Sequence, residues 1–134
     1  MSGAAESRFP EVMLGVSVAL WAGFGLWLLL DPATLSNAEI DVETPTARAE
    51  VRAFYGGLEL GVAAFLAWCL RDGSVRVGLV AALTVLLGVA VCRTAGVALE
   101  GFGVKPLIYA LGASEWAGVA ATWAATRTVA KRGA

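Results

Sequence analysis

Apolar residues in this chain run in long blocks, unlike the spaced stripe of a soluble helix or the strict alternation of a half-buried strand. The first block extends from Val12 to Leu30 without a charge. About 20 such residues, rising about 1.5 Å each, cross a hydrocarbon layer about 30 Å thick. Three further blocks are long enough to do the same. Ala53 to Leu70 is interrupted only by Glu59, residues 77–95 stay uncharged until Arg93, and Leu107 to Thr126 is interrupted only by Glu115. Chain breakers stand between them: Asp31-Pro32, the Arg71-Asp72-Gly73-Ser74 hairpin, and Gly101 to Pro106. Lipid offers the backbone no hydrogen-bond partner, so the blocks predict α-helices, and short links make successive helices antiparallel. The expected fold is all-α: one integral membrane antiparallel four-helix bundle over residues 1–134, with spans at about 12–30, 53–70, 77–95 and 107–126.

Composition agrees. Of the 134 residues, 58% are hydrophobic and 16% charged, and the mean hydropathy is +0.73. So short a soluble domain leaves much of its surface in water and needs more charge than this. A net charge of −1 without Lys/Arg clusters excludes nucleic acid as a partner. With no histidine, His-ligated metal sites and His general bases are excluded, and no metal or cofactor is expected. Cys69 and Cys92 should be free thiols: counted from Val77, Cys92 lies about 22 Å up its helix, beyond the roughly 7 Å Cα separation a disulfide allows.

Arg8 and the small Ser36-Asn37-Ala38 triplet suggest a cleaved export signal, but the first block exceeds the usual 7 to 15 apolar residues and Asp31-Pro32 intervenes. It reads as a retained helix. Basic residues set the orientation. With four spans, one side collects Arg8, Arg71, Arg76, Arg127, Lys131 and Arg132, and the other only Arg48, Arg52 and Lys105, with Arg93 near the edge. Both termini are therefore expected in the cytoplasm. Trp27, Trp68 and Trp123 fall where interfacial anchors do, whereas Trp21 and Trp116 lie deeper and suit packing.

Charges inside the spans carry the chemical information, because a lone charge near the bilayer centre costs about 2.5 to 3.5 kcal/mol on insertion scales. At about 100° per residue, Arg52, Tyr55, Gly56, Glu59 and Ala63 form one stripe on the second helix. Glu59 is expected about 10 Å below Arg52, and Glu115 about 13 Å below Pro106, which makes the carboxylates level. Arg93 sits higher and can reach down to either or up toward Glu100. These positions predict a wet pocket open to the outside, lined by Arg52, Tyr55, Glu59, Arg93, Glu100 and Glu115. An ion-pair network that only fixes helix register is the plainer alternative. A resemblance between Glu59-Leu60-Gly61-Val62-Ala63-Ala64 and the run from Glu115 to Ala121 suggests two similar hairpins.

The run from Ala49 to Gly61, with its Arg-x-x-Tyr-Gly-Gly core, followed by Arg93 and then Glu100-Gly101, resembles the bacterial family known as domain of unknown function 4345. The resemblance implies a four-helix protein of the bacterial inner membrane, distantly similar to the DoxX-like group, and no established reaction. It would make Glu50, Arg52, Tyr55, Gly56, Gly57, Glu59 and Arg93 functional. Two classes of activity follow. One is a non-enzymatic protein that binds a small apolar molecule or membrane lipid, or assists a partner membrane protein, through the outer pocket. The other is an enzyme using Glu59 and Glu115 as acid and base on an apolar substrate. A transport path would require a homo-oligomer, since one short chain leaves no room for it.

Overall fold

The computed structural model describes residues 8–132. Among them are five α-helices and no strand. Helix α1 is Phe9–Leu30, α2 is Pro45–Val51, α3 is Leu58–Arg71, α4 is Val75–Leu99 and α5 is Pro106–Arg132. A π-helical segment, Arg52–Gly57, joins α2 to α3 without a break, so residues 45–71 form one continuous rod of 27 residues. The helical chain thus makes four rods that extend a few residues beyond the expected spans. The two termini assigned to the cytoplasm lie outside the described residues.

Each boundary has a local cause. Proline opens α1, α2 and α5 at positions where a missing N–H costs nothing. The Asp31 N–H closes the last turn of α1 on Trp27 O at 2.8 Å, and Pro32 then bars continuation. The chain continues as a 3-10 helix, Pro32–Ala38, and an extended stretch to Thr44, whose Oγ1 accepts from Ala47 N at 3.0 Å and so caps α2. That stretch is tied down at Val42, which is 2% exposed and whose carbonyl accepts from Arg48 Nε at 3.0 Å. Helix α3 ends at Arg71, and Gly73 takes the positive φ of 77° that the hairpin into α4 requires.

Packing is closest within successive hairpins, α1 on α3 and α4 on α5, as the two-hairpin reading of the sequence expects. Helix α1 also touches α5 and α4, and α3 touches α4. Helices α3 and α5 therefore stand at opposite corners. The main buried cluster lies in the half nearest the α3–α4 hairpin, where Leu14, Leu66, Cys69, Leu79, Ala82 and Ala125 are fully buried. There Gly78 admits a very close approach: a Cβ on it would lie 2.9 Å from Cys69 Cβ and from a Leu14 methyl. At the other end Gly56 lets the π segment press on α1, with Leu29 backbone 3.1 Å from where its Cβ would be.

Rods of residues 9–30, 45–71 and 75–99 are long and apolar enough to cross a membrane. Their outer faces expose Leu20, Leu30, Phe54, Leu58 and Trp68, surface that lipid would cover at no cost and water would not. Helix α5 has the length, 27 residues, but its many Ala, Gly, Ser and Thr residues and Glu115 keep it out of that set. Both cysteines are free thiols, Cys69 buried and Cys92 exposed.

Candidate functional site

The polar groups gather toward the end of the bundle opposite the main buried cluster. Arg93, late in α4, lays its guanidinium edge on Glu115 of α5. Nε reaches both carboxylate oxygens, at 2.9 and 2.8 Å, and Nη2 reaches Oε1 at 2.7 Å. The Arg93 stem crosses Gly112, whose Cβ position would be 3.5 Å from Arg93 Cδ. One residue along each helix, Trp116 Nε1 donates to Thr94 Oγ1 at 3.1 Å, and the Thr94 hydroxyl in turn donates to Ala90 O at 2.7 Å. Two adjacent cross-links thus fix the register of α4 on α5. The ion pair is largely withdrawn from solvent, with 28% of the Arg93 side chain and 13% of the Glu115 side chain exposed. A charge-assisted fork in such a setting is worth more than its surface counterpart.

The fork uses two of the five guanidinium N–H groups. Among the described residues Arg93 Nη1 has no partner, and the residue lines a cavity of about 430 Å³ at the C-terminal end of α4. Gly96 and Glu100 continue the same face of α4, and the 3-10 helix closes one side with Glu39 while the α4–α5 loop closes the other with Lys105. Lys105 Nζ and Glu39 Oε1 are 3.0 Å apart, a bridge across the cavity mouth between two well exposed side chains. Both loops turn through left-handed residues there: Glu39 with φ 61°, Gly101 with φ 62° and Phe102 with φ 61°. The first is held by Glu39 N on Ser36 O at 3.0 Å, and the last by Phe102 N on Val97 O at 3.0 Å. No ion pair holds Glu100 among the described residues. A second cavity, about 370 Å³ and apolar, lies between α3 and α4 along Gly61, Phe65 and Val85.

The six residues expected to line one pocket are distributed differently. Arg93 and Glu100 line the cavity at the C-terminal end of α4, and Glu115 lies against Arg93. Arg52 leaves the group: its Nε donates to Leu29 O at 3.0 Å and so satisfies a carbonyl at the end of α1. The cause is the π segment. An i→i+5 turn holds an extra residue, so Arg52 and Glu59 no longer share the stripe that regular 3.6-residue geometry gives them. Tyr55, on that segment, is within electrostatic reach of Arg93 but lines neither cavity. Glu59 also lines neither, and its Oε2 is buried without a hydrogen-bond partner. Since α3 and α5 occupy opposite corners, Glu59 and Glu115 are not set as a pair.

Glu39 and Lys105, which bridge the mouth, were not legible as site residues. Lys105 is the lone basic residue between Arg93 and Arg127, a signal that invites attention, but nothing in the sequence brings Glu39 beside the C-terminal end of α4. Residues 10–126 match the family model described as Domain of unknown function (DUF4345). No curated protein and no solved structure matches the chain.

Proposed function

We propose, for a chain that belongs to the DUF4345 family, a protein of the bacterial inner membrane that spans it as an antiparallel four-helix bundle and holds a small molecule or a lipid in its outer cavity. The fourth crossing, by α5, is supported by its length of 27 residues, about 40 Å at helical rise, and by its close packing along α4. Small residues suit that role, since in lipid close backbone approach is itself a source of helix association.

One observation carries the binding reading. Arg93 is held by Glu115, keeps guanidinium N–H groups without a partner among the described residues, and lines a cavity of about 430 Å³. A network serving register alone has no need of a cavity beside it or of unused donors on the arginine that lines it. Binding is favoured over acid–base catalysis because the two glutamates stand on separate corners and one of them is engaged by Arg93.

Gly96 offers a clean test, because a Cβ placed there meets nothing within 4 Å. Protein extracted from membranes in a mild detergent should carry a non-covalently bound mass in native mass spectrometry, and Gly96→Leu should fold but lose it. An identical bound mass in both proteins, or none in the wild type, would reject the cavity as a binding site.

A further inference from the structure

We propose that the outer cavity takes a dipolar ligand, one whose ammonium and oxyanion stand a few ångströms apart, as in the headgroup of an aminophospholipid or its soluble counterpart. The proposal rests on the reading of this cavity as a binding site and names the chemistry of what enters it.

The charges around the cavity select against simple ions. Arg93 is matched by Glu115, Lys105 by Glu39 across the mouth, and Glu100 by no ion pair among the described residues. A pure anion would meet two carboxylates, Glu39 and Glu100, on the cavity wall. A pure cation would satisfy Glu100 and leave Arg93 Nη1 and the remaining Lys105 protons facing it. A ligand carrying both signs satisfies all of them: its ammonium on Glu100, its oxyanion on Arg93 Nη1 and Lys105 Nζ.

The spacing fits. Arg93, Gly96 and Glu100 are at i, i+3 and i+7, hence on one face of α4, and Arg93 and Glu100 are about 10 Å apart along its axis. A dipole a few ångströms long, with a hydrogen bond of about 3 Å at each end, spans a gap of that order. Gly96 keeps the floor between them open. Val97, Val104 and Ile108 supply an apolar wall for whatever the headgroup is attached to.

The test uses the full chain in a neutral maltoside detergent and reads dissociation constants. The soluble probes are glycerophosphoethanolamine and its two halves, glycerol phosphate and ethanolamine; the lipid probes are phosphatidylethanolamine and anionic phosphatidylglycerol. The dipolar member of each set should bind at least about tenfold more tightly than the others, the worth of one charge-assisted hydrogen bond. Glu100→Gln should remove that preference, and Gly96→Leu should abolish binding. Preference shown by both dipolar probes assigns the headgroup alone as sufficient, and preference shown only by the lipid assigns a bilayer source. Glycerol phosphate, ethanolamine or phosphatidylglycerol binding as tightly as the dipolar probe, and lost in Gly96→Leu, would overturn the dipolar chemistry and leave the cavity a binding site. Absence of binding by every probe, or binding untouched by Gly96→Leu, would overturn both.

Discussion

Removing Arg93 tests the site at its most constrained point. In Arg93→Leu the Glu115 carboxylate, with 13% of its side chain exposed, loses three contacts of 2.7 to 2.9 Å and gains none. Breaking a buried pair by deleting one partner costs about 3 to 5 kcal/mol. The cavity next to Arg93 gives water room to replace it, so a loss near the lower end, about 3 kcal/mol, is expected. Glu115→Gln should cost less, about 1 to 2 kcal/mol, because the amide still accepts a hydrogen bond and Arg93 can turn toward the cavity and Glu100. Replacing both residues removes the uncompensated charge, and the double variant should recover to within about 1 kcal/mol of wild type. The resulting coupling is at least about 2 kcal/mol. Reversible unfolding in mixed micelles, followed by tryptophan fluorescence, measures all four proteins. The same cycle with Glu59→Gln should be additive within about 0.5 kcal/mol, as for residues without shared partners. Coupling to Glu59 together with additivity at Glu115 would refute the pairing and the side-chain geometry drawn from it.

Two further outcomes are expected. A reporter fused after Ala134 should read cytoplasmic, and a cysteine placed at Asn37 should react with a membrane-impermeant thiol reagent added from outside; the opposite pattern would turn the cavity toward the cytoplasm. Gly78→Ala pushes a methyl to 2.9 Å from Cys69 Cβ and Leu14 and should destabilise by about 1 to 3 kcal/mol, whereas Gly61→Ala, with nothing within 4 Å, should be neutral or gain up to about 1 kcal/mol from helix propensity. Equal effects in thermal unfolding would show that α3 and α4 do not cross at Gly78.

Much of this fold could be read from local features, because local features determine it. Blocks such as 12–30 and 53–70 need only length and apolarity to become helices in lipid, and Asp31-Pro32, Gly73 and Pro106 interrupt the chain by their own backbone limits. The inventory of charge within the long helices was legible for the same reason: Glu59, Arg93 and Glu115 are conspicuous against an apolar background, and that Arg93 would seek a carboxylate follows from electrostatics.

Which carboxylate it finds does not follow from the sequence. That choice depends on which helices are neighbours, and the packing of α4 on α5 awards Arg93 to Glu115 while leaving Glu59 on another corner. Arg52 shows a second limit. Its place on the stripe with Glu59 presumes 3.6 residues per turn, and the π segment spanning Gly56 and Gly57, two weak helix formers, shifts the phase and sends Arg52 to Leu29. Glu39 shows a third, since it reaches the cavity only because Val42 is buried and Arg48 holds the extended stretch in place. Length, hydropathy and breaker residues act within a few positions of themselves and so determine the elements. The site is assembled from side chains 22 or more residues apart, Arg93 with Glu115 and Glu39 with Lys105, and their meeting is decided by packing contacts that no single segment contains.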